Sequence, residues 1–176
     1  ITMKKILNRI FIEGLSGMAQ GLFATLIIGT ILCQIAQLVG GVPGNYINMV
    51  GTMAKAITGA GIGVGVAAKS QETPLVTVSA AVTGMIGAFA SQLLAGGVIT
   101  GGMVSFKVPG EPLGAFVAAY LAIEAGHLVS GKTKMDIILT PLVFIGVGAT
   151  VGILAGPPIS RFMTSIGSLI EWGMAQ

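Results

Sequence analysis

Apolar residues follow one another in long stretches along this chain, and charged residues interrupt them only rarely. No charged residue lies between Glu13 and Lys55, and residues 18–39 within that gap are mostly apolar or small. A helix needs about 20 mostly apolar residues to cross the hydrocarbon of a bilayer. The pattern therefore predicts a first membrane span over residues 18–39, which ends at the turn-rich sequence GGVPGNY.

The same reasoning predicts four further spans, over residues 47–68, 75–94, 112–129 and 137–155. Lys55 lies inside the second of these spans, near one end, from which its side chain can extend toward the interface. The third span is followed by a segment that we predict to be irregular because glycines interrupt it. These glycines are Gly96, Gly97, Gly101 and Gly102.

Both ends of the chain have an amphipathic pattern. Residues 6–12 show it before the first span, and the tail shows it after the sequence GPP, residues 156–158. The apolar tail residues recur at helical spacing and are Ile159, Phe162, Met163, Ile166, Leu169 and Ile170. With Trp172 at headgroup level, the tail is typical of a helix that lies in the membrane interface. The alternative for the tail is the start of a sixth span.

Composition supports a membrane location for the whole chain. Hydrophobic residues make up 53% and charged residues 9% of the sequence, and the mean hydropathy is +0.94. An ordinary soluble domain has about 25% charged residues. We therefore predict one transmembrane domain over residues 1–176. Its fold class is an all-α integral membrane protein with about five transmembrane helices plus N-terminal and C-terminal amphipathic interfacial helices.

Lysine and arginine predict the orientation, because cytoplasmic loops carry an excess of these residues. With a cytoplasmic N-terminus, six of the nine basic residues lie on the cytoplasmic side, namely Lys4, Lys5, Arg9, Lys69, Lys132 and Lys134. The other three are Lys55, Lys107 and Arg161. The sequence pI of about 9.3 follows from this bias. No run of basic residues with interleaved aromatic residues indicates nucleic-acid binding.

The sequence GAGIGVG, residues 59–65, has a glycine at every second position. It does not match the dinucleotide fingerprint GxGxxG, and no Lys-Ser or Lys-Thr pair follows its last glycine as in a P-loop. Small residues in membrane helices instead let neighbouring backbones approach closely. We therefore predict helix packing for two sets of glycines, Gly59, Gly61, Gly63 and Gly65 in the second span and Gly148, Gly152 and Gly156 in the fifth.

Residues that could perform catalysis are scarce. The chain has one histidine, one cysteine and six carboxylates, with no HExxH motif, no paired cysteines and no GxSxG motif. Cys33 lies in the first span and is predicted to be a packing residue, since it has no partner for an internal disulfide. The sequence favours a protein that is not an enzyme and has no cofactor and no metal site.

Four ionisable residues are candidates for substrate binding, namely Glu124, His127, Lys107 and Glu111. Glu124 and His127 are three residues apart and share one helix face of the fourth span. Ionisable residues at membrane depth are costly and are functional candidates for that reason. The pair would form a site for a proton or a substrate hydroxyl. Alternatively, it is a hydrogen-bonded pair that joins the fourth span to a neighbouring helix.

Lys107 and Glu111 belong to the sequence FKVPGEP, residues 106–112, which we place on the outer side. This segment either lines an entrance and touches a ligand, or it is a rigid turn whose Pro112 starts the fourth helix. The polar turn KSQETP, residues 69–74, is a candidate docking point for a cytoplasmic partner.

Three stretches resemble the membrane IIC components of the bacterial phosphotransferase system, which are sugar permeases. DIILTPLVFIGVGATVGILAGPPISRFMTSIGSLIEW resembles the part of these permeases where a proline-bearing helix ends in a Pro-Pro turn and an amphipathic helix with a tryptophan follows. ITGAGIGVGVAAKSQETPLVTVSAAVTGMIG resembles their early pair of helices. PGEPLGAFVAAYLAIEAGHLVSGKTKMDIILTPL is more similar to a stand-alone IIC-like subgroup, some of whose members are described as toxin regulators.

This resemblance implies a homodimer in the bacterial inner membrane that moves a sugar while a cytoplasmic IIB component phosphorylates it. It also implies that residues 1–176 are the N-terminal scaffold half, and that the family's sugar-contacting Glu and His motifs belong mainly to the other half. One alternative is a non-transporting membrane regulatory protein built on the same scaffold. Another is a small channel or ion-coupled carrier, in which Glu124 and His127 would face a water-filled path.

Overall fold

Helices make up most of the chain in the computed structural model, which describes residues 2–108 and 110–176. In chain order the helices are α1 (Thr2–Val39), α2 (Gly41–Ala56), α3 (Thr58–Lys69), α4 (Pro74–Ala88), α5 (Ala90–Leu94), α6 (Pro112–Gly126) and α7 (Asp136–Met174). Between α5 and α6, the two-residue strands β1 (Ile99–Thr100) and β2 (Met103–Val104) pair in antiparallel register. The all-α class predicted from the sequence is confirmed.

The first helix, α1, is continuous over 38 residues but contains two π-helical turns. Its α-helical parts are Thr2–Asn8, Leu15–Leu22 and Ile28–Val39, and the π-helical turns between them are Arg9–Gly14 and Phe23–Ile27. A π-turn accommodates an extra residue without ending the helix. The amphipathic start and the first span, which the sequence predicts as separate elements, therefore form one helix.

Local sequence explains where several helices begin and end. α1 ends at Gly40, whose φ of +65° lies in the region that favours glycine. α4 begins at Pro74, and the preceding Thr73 hydroxyl accepts the backbone N–H of Val76 at 3.4 Å. α6 begins at Pro112. Proline is favoured at the first helical position because its missing N–H is not needed there.

α3 lies between α1 and α4, and its alternating glycines face both neighbours. Residues two positions apart point about 200° apart around a helix with 3.6 residues per turn. The glycines therefore divide into two opposite faces, with Gly59 and Gly63 against α4 and Gly61 and Gly65 against α1. One stretch of sequence thus supplies two small-residue surfaces on one helix.

At these two surfaces the backbones of neighbouring helices are so close that a side chain does not fit between them. A Cβ added at Gly63 would meet the backbone carbonyl of Ala80, and one at Gly65 would meet that of Gly17, both at under 3.0 Å. A backbone carbonyl in a packed helix cannot move aside cheaply. Lipid provides no hydrophobic driving force between helices, so close van der Waals contact of this kind holds them together.

α4, α6 and α7 pack by the same principle. Gly87 of α4 and Gly114 of α6 face each other backbone to backbone. On α7, three glycines at four-residue spacing contact α4 and the start of α5. Gly148 lies against Thr83, Gly152 against Gly87 and Gly156 against Ala90. Gly126 at the end of α6 leaves space for the fully buried ring of Phe144.

α2 and the last part of α1 (Ile28–Val39) form a hairpin that packs mainly against itself. Gly29 and Gly51 make close backbone contact inside it, and the thiol of the buried Cys33 lies beside Gly51. The outer surface of the hairpin is apolar and exposed, as at Leu38, which is 87% exposed. Most of this surface therefore has no contact with the other helices among residues 2–108 and 110–176.

The helices differ in whether they can cross a membrane by themselves. By length and apolar composition, α1 and α7 can, and α2 with α3 would form a third span, bent by 53°. α4 and α6 have 15 residues each, or about 22 Å, which is shorter than the hydrocarbon thickness of about 30 Å. The predicted third span is broken at Phe89, and the predicted fourth ends at Gly126 instead of residue 129.

The tail differs from its prediction as a separate element after residue 155. α7 continues through Pro157 and Pro158 to Met174 without a break. Proline loses one backbone donor but keeps a helical φ, and neighbouring groups in membrane helices often satisfy the freed carbonyl. At 39 residues, α7 is about 58 Å long. Its residues from Arg161 onward are exposed and extend beyond the packed helices.

Replacing Gly65 by alanine tests the glycine contact. We expect Gly65→Ala to destabilise the protein by about 1–3 kcal/mol, because the new methyl group collides with backbone. The measurement is unfolding of the purified protein in detergent. The matched control is Gly146→Ala, since Gly146 is a helical glycine with nothing within 4 Å of an added Cβ; this variant should gain up to about 1 kcal/mol. Equal stability of the two variants would contradict the packing model.

Candidate functional site

α4 and α6 pack side by side in opposite directions, so that the end of α4 lies beside the start of α6. The chain leaves α4 at Ala88, changes direction at Phe89 and returns at Glu111, whose backbone N–H donates to the Ala88 carbonyl at 2.8 Å. Residues 90–110 between these points include α5 and the β1–β2 hairpin. A segment of irregular backbone is therefore attached to the ends of two packed helices.

The side chain of Gln92 holds this irregular segment together. Its Nε2 group donates to the carbonyls of Gly97 and Ser105, both at 2.8 Å. Its Oε1 atom accepts the backbone N–H of Lys107, also at 2.8 Å. One amide therefore satisfies three backbone groups on both arms of the β1–β2 hairpin, in addition to the two-residue ladder and the bond from the Ser105 N–H to the Val98 carbonyl at 2.8 Å.

A cavity of about 310 Å³ lies beside this segment. Its polar wall includes Gln92, Lys107, Glu111 and, from α7, Ser160. Its apolar wall includes Phe89, whose ring stacks on Phe106 with centroids 4.6 Å apart. The cavity volume lies at the lower end of the range of small-molecule pockets, roughly 300–1,000 Å³.

The Glu111 carboxylate is the most unusual group of this cavity. Its Oε1 atom is shielded from solvent and has no hydrogen-bond partner among residues 2–108 and 110–176. A buried carboxylate oxygen without a donor costs free energy, so a ligand donor that reaches it is favoured. Gly110 next to it has a φ of +85°, and a Cβ there would meet the Phe89 ring. The neighbouring Pro109 lies outside the described residues.

A second polar cluster lies at the opposite ends of α4 and α6. Glu72, in the turn before α4, accepts from His127 Nε2 at 2.5 Å and lies 3.8 Å from Arg9 Nη2. The Glu124 carboxylate of α6 lies 2.8 Å from Arg9 Nε. The N–H of Arg9 Nε does not point at this oxygen, so the contact is an ion pair without a hydrogen bond. The cluster joins α1, the α3–α4 turn and α6.

The four candidate residues from the sequence fall into these two places. Lys107 and Glu111 line the cavity, and Glu124 and His127 contribute to the cluster, each with a different partner. Sequence reasoning named Glu72 only as part of the turn at residues 69–74, and it missed Arg9 and Gln92 as site residues. Arg9 is 63 residues from Glu72 and 115 from Glu124 in sequence, so nothing in the local pattern indicates these contacts.

The fold and the cavity define a class, namely an all-α membrane protein with a mostly apolar cavity that carries a few polar side chains, beside the ends of two short helices. The chain matches the family model described as "Phosphotransferase system, EIIC" over residues 12–176. It therefore belongs to this family, which confirms the resemblance at family level and identifies a membrane component of a phosphotransferase system. No curated protein and no solved structure matches the chain.

Gln92→Leu tests whether this amide orders the irregular segment. We expect faster amide hydrogen exchange at residues 97–107, because three hydrogen bonds to backbone are lost. The control is Gln37→Leu, which changes an exposed glutamine of α1 in the same way. Unchanged exchange in the Gln92 variant would show that the segment is held by other contacts.

Glu72→Ala tests the cluster. The Glu72 side chain is only 10% exposed and faces both Arg9 and His127, so we expect a loss of about 1–3 kcal/mol in unfolding free energy. Unfolding in detergent measures it. The control Glu171→Ala removes an exposed carboxylate near the end of α7 and should change stability little. If both variants unfold alike, the cluster does not stabilise the fold.

Proposed function

We propose that this chain carries part of the sugar path of a phosphoenolpyruvate-dependent phosphotransferase system, as the N-terminal scaffold half of a permease. The single observation that carries the proposal is the cavity at the junction of α4 and α6, with the unpaired oxygen of Glu111. Family membership supports the transport role. The choice of this cavity as the sugar site rests on its position and its chemistry.

Helix length supports a position of the cavity within the membrane. The start of α4 and the end of α6 are held together by the Glu72–His127 contact. If this end lies at the cytoplasmic surface, two helices of about 22 Å end inside a hydrocarbon layer of about 30 Å. Irregular backbone at that depth is tolerated where protein covers it or where it lines a polar cavity. Transporters commonly place substrate sites at such helix ends.

The chemistry of the cavity suits a sugar. Sugar hydroxyls both donate and accept hydrogen bonds, and the cavity offers an acceptor in Glu111, a cation in Lys107 and a hydroxyl in Ser160. The ring of Phe89, held in place by stacking on Phe106, supplies an apolar surface for the C–H groups of a sugar ring. Glu111 and Lys107 would thus contact substrate, whereas Glu124 and His127 would stabilise the cytoplasmic end.

The remaining features of the proposal concern partners and location. We place the protein in the bacterial inner membrane as a multi-pass protein with a cytoplasmic N-terminus, because this orientation puts six of nine basic residues inside. Phosphoryl transfer would belong to a cytoplasmic IIB component that approaches the turn at residues 69–74. A homodimer through the exposed apolar hairpin of α1 and α2 would cover surface such as Leu38 and Met53.

The proposal predicts that Glu111→Gln weakens sugar binding. We expect the full chain in detergent to bind at least one of radiolabelled glucose, fructose, mannitol and maltose. Glu111→Gln should bind about tenfold more weakly, because a hydrogen bond to a charged acceptor becomes one to a neutral amide. Equilibrium dialysis measures this affinity, and Glu171→Gln is the control for loss of one carboxylate.

Two outcomes would count against the proposal. If the folded wild-type chain binds none of these sugars, the non-transporting regulatory alternative gains support. If Glu111→Gln and Glu171→Gln bind a sugar as tightly as the wild type, the sugar site lies elsewhere. Unfolding curves of each variant separate a binding defect from a folding defect.

A further inference from the structure

A second cavity, of about 490 Å³, lies between the first turns of α1 and the last turns of α6. Its wall carries the cations Lys5 and Arg9, the carboxylate of Glu124, the ring of Tyr120 and three aliphatic side chains, which are Ile6, Ile10 and Leu121. This combination of basic and apolar groups is different from that of the sugar cavity at the other ends of α4 and α6.

The two cations of this cavity differ in how they are paired. Arg9 is paired with Glu124, which also lines the cavity, and Glu72 lies behind it. Lys5 has no carboxylate within 4.0 Å among the described residues. One third of the Arg9 side chain also remains exposed. Arg9 thus has two carboxylate partners, and within the described part of the chain Lys5 remains as the unpaired cation of the cavity wall.

The surroundings of the cavity favour an amphiphilic ligand. Ile6, Leu7 and Phe11 on the same turns of α1 are each about half exposed, at 50%, 47% and 60%. An apolar surface of this kind next to basic residues is typical of a protein surface in contact with acyl chains below a headgroup layer. Basic pockets between membrane helices on the cytoplasmic side bind anionic lipid headgroups.

We propose that this cavity binds an anionic phospholipid, with Lys5 and the exposed edge of Arg9 at the headgroup phosphate and an acyl chain along Ile6, Ile10 and Leu121. The phosphate supplies the negative partner that Lys5 lacks among the described residues. A lipid bound there contacts both α1 and α6 and extends the Arg9–Glu124 junction between them. This inference does not depend on the proposed sugar site.

Native mass spectrometry of the purified full chain tests the proposal, with phosphatidylglycerol and phosphatidylcholine as probes. Wild type should retain phosphatidylglycerol and release phosphatidylcholine. Lys5→Gln should retain phosphatidylglycerol about fivefold less, which corresponds to about 1 kcal/mol for one basic residue near an anionic surface. The matched control is Lys4→Gln, which removes the same charge from an adjacent exposed residue outside the cavity lining and should change retention little.

The other outcomes overturn the assignment. If Lys4→Gln and Lys5→Gln reduce phosphatidylglycerol retention equally, the lipid is attracted by the overall positive charge of the N-terminal turns and does not bind in the cavity. If millimolar inorganic phosphate displaces the lipid completely, the cavity is a site for free phosphate. A Leu121→Trp variant that folds normally adds a direct test, because it narrows the apolar wall; retention equal to wild type would exclude an acyl chain at that wall.

Discussion

The structure depends on the contact of α3 with two helices at the distance where only glycine fits. In water, the hydrophobic effect drives helices to pack together, but helices in lipid gain little from burying apolar side chains against each other. Backbones that approach closely gain many weak dispersion contacts at once. The two glycine faces of α3 therefore fix α1 on one side and α4 on the other, and α4 in turn positions α6 and α7 through Gly87 and Gly148.

The polar cluster of Arg9, Glu72, Glu124 and His127 is a consequence of that packing. Arg9, Glu72 and Glu124 meet because α1, α3 and α6 are already held at fixed positions. Arg9 and Glu124 are both about one third exposed, at 33% and 38%, so solvent screens their attraction and its contribution is modest. Glu72 is much less exposed, and it is shared by a cation and a histidine. The cluster thus adds specificity at one end of an arrangement whose main stability comes from glycine contacts.

Part of this structure can be predicted from the sequence, and there are physical reasons why the rest cannot. Long apolar gaps predict the helical class correctly, and Pro112 predicts the start of α6, since both depend on local chemistry. The break at Phe89 and the continuation through Pro157 depend on neighbouring helices, which the local pattern does not describe. Lys107 and Glu111 are adjacent to a turn and could be proposed as site residues. Gln92 could not, because one polar residue in an apolar stretch has many possible roles.

The glycine contacts also determine how the chain tolerates genetic change. Glycine has no smaller replacement, so every missense change at Gly17, Gly63 or Gly65 adds at least one carbon atom where a backbone carbonyl already lies. No conservative substitution exists at such positions, in contrast to an aliphatic core, where leucine and methionine can often replace each other. The most mutationally sensitive residues of this protein are accordingly its smallest ones, and the lipid-facing isoleucines and leucines have wide freedom to vary.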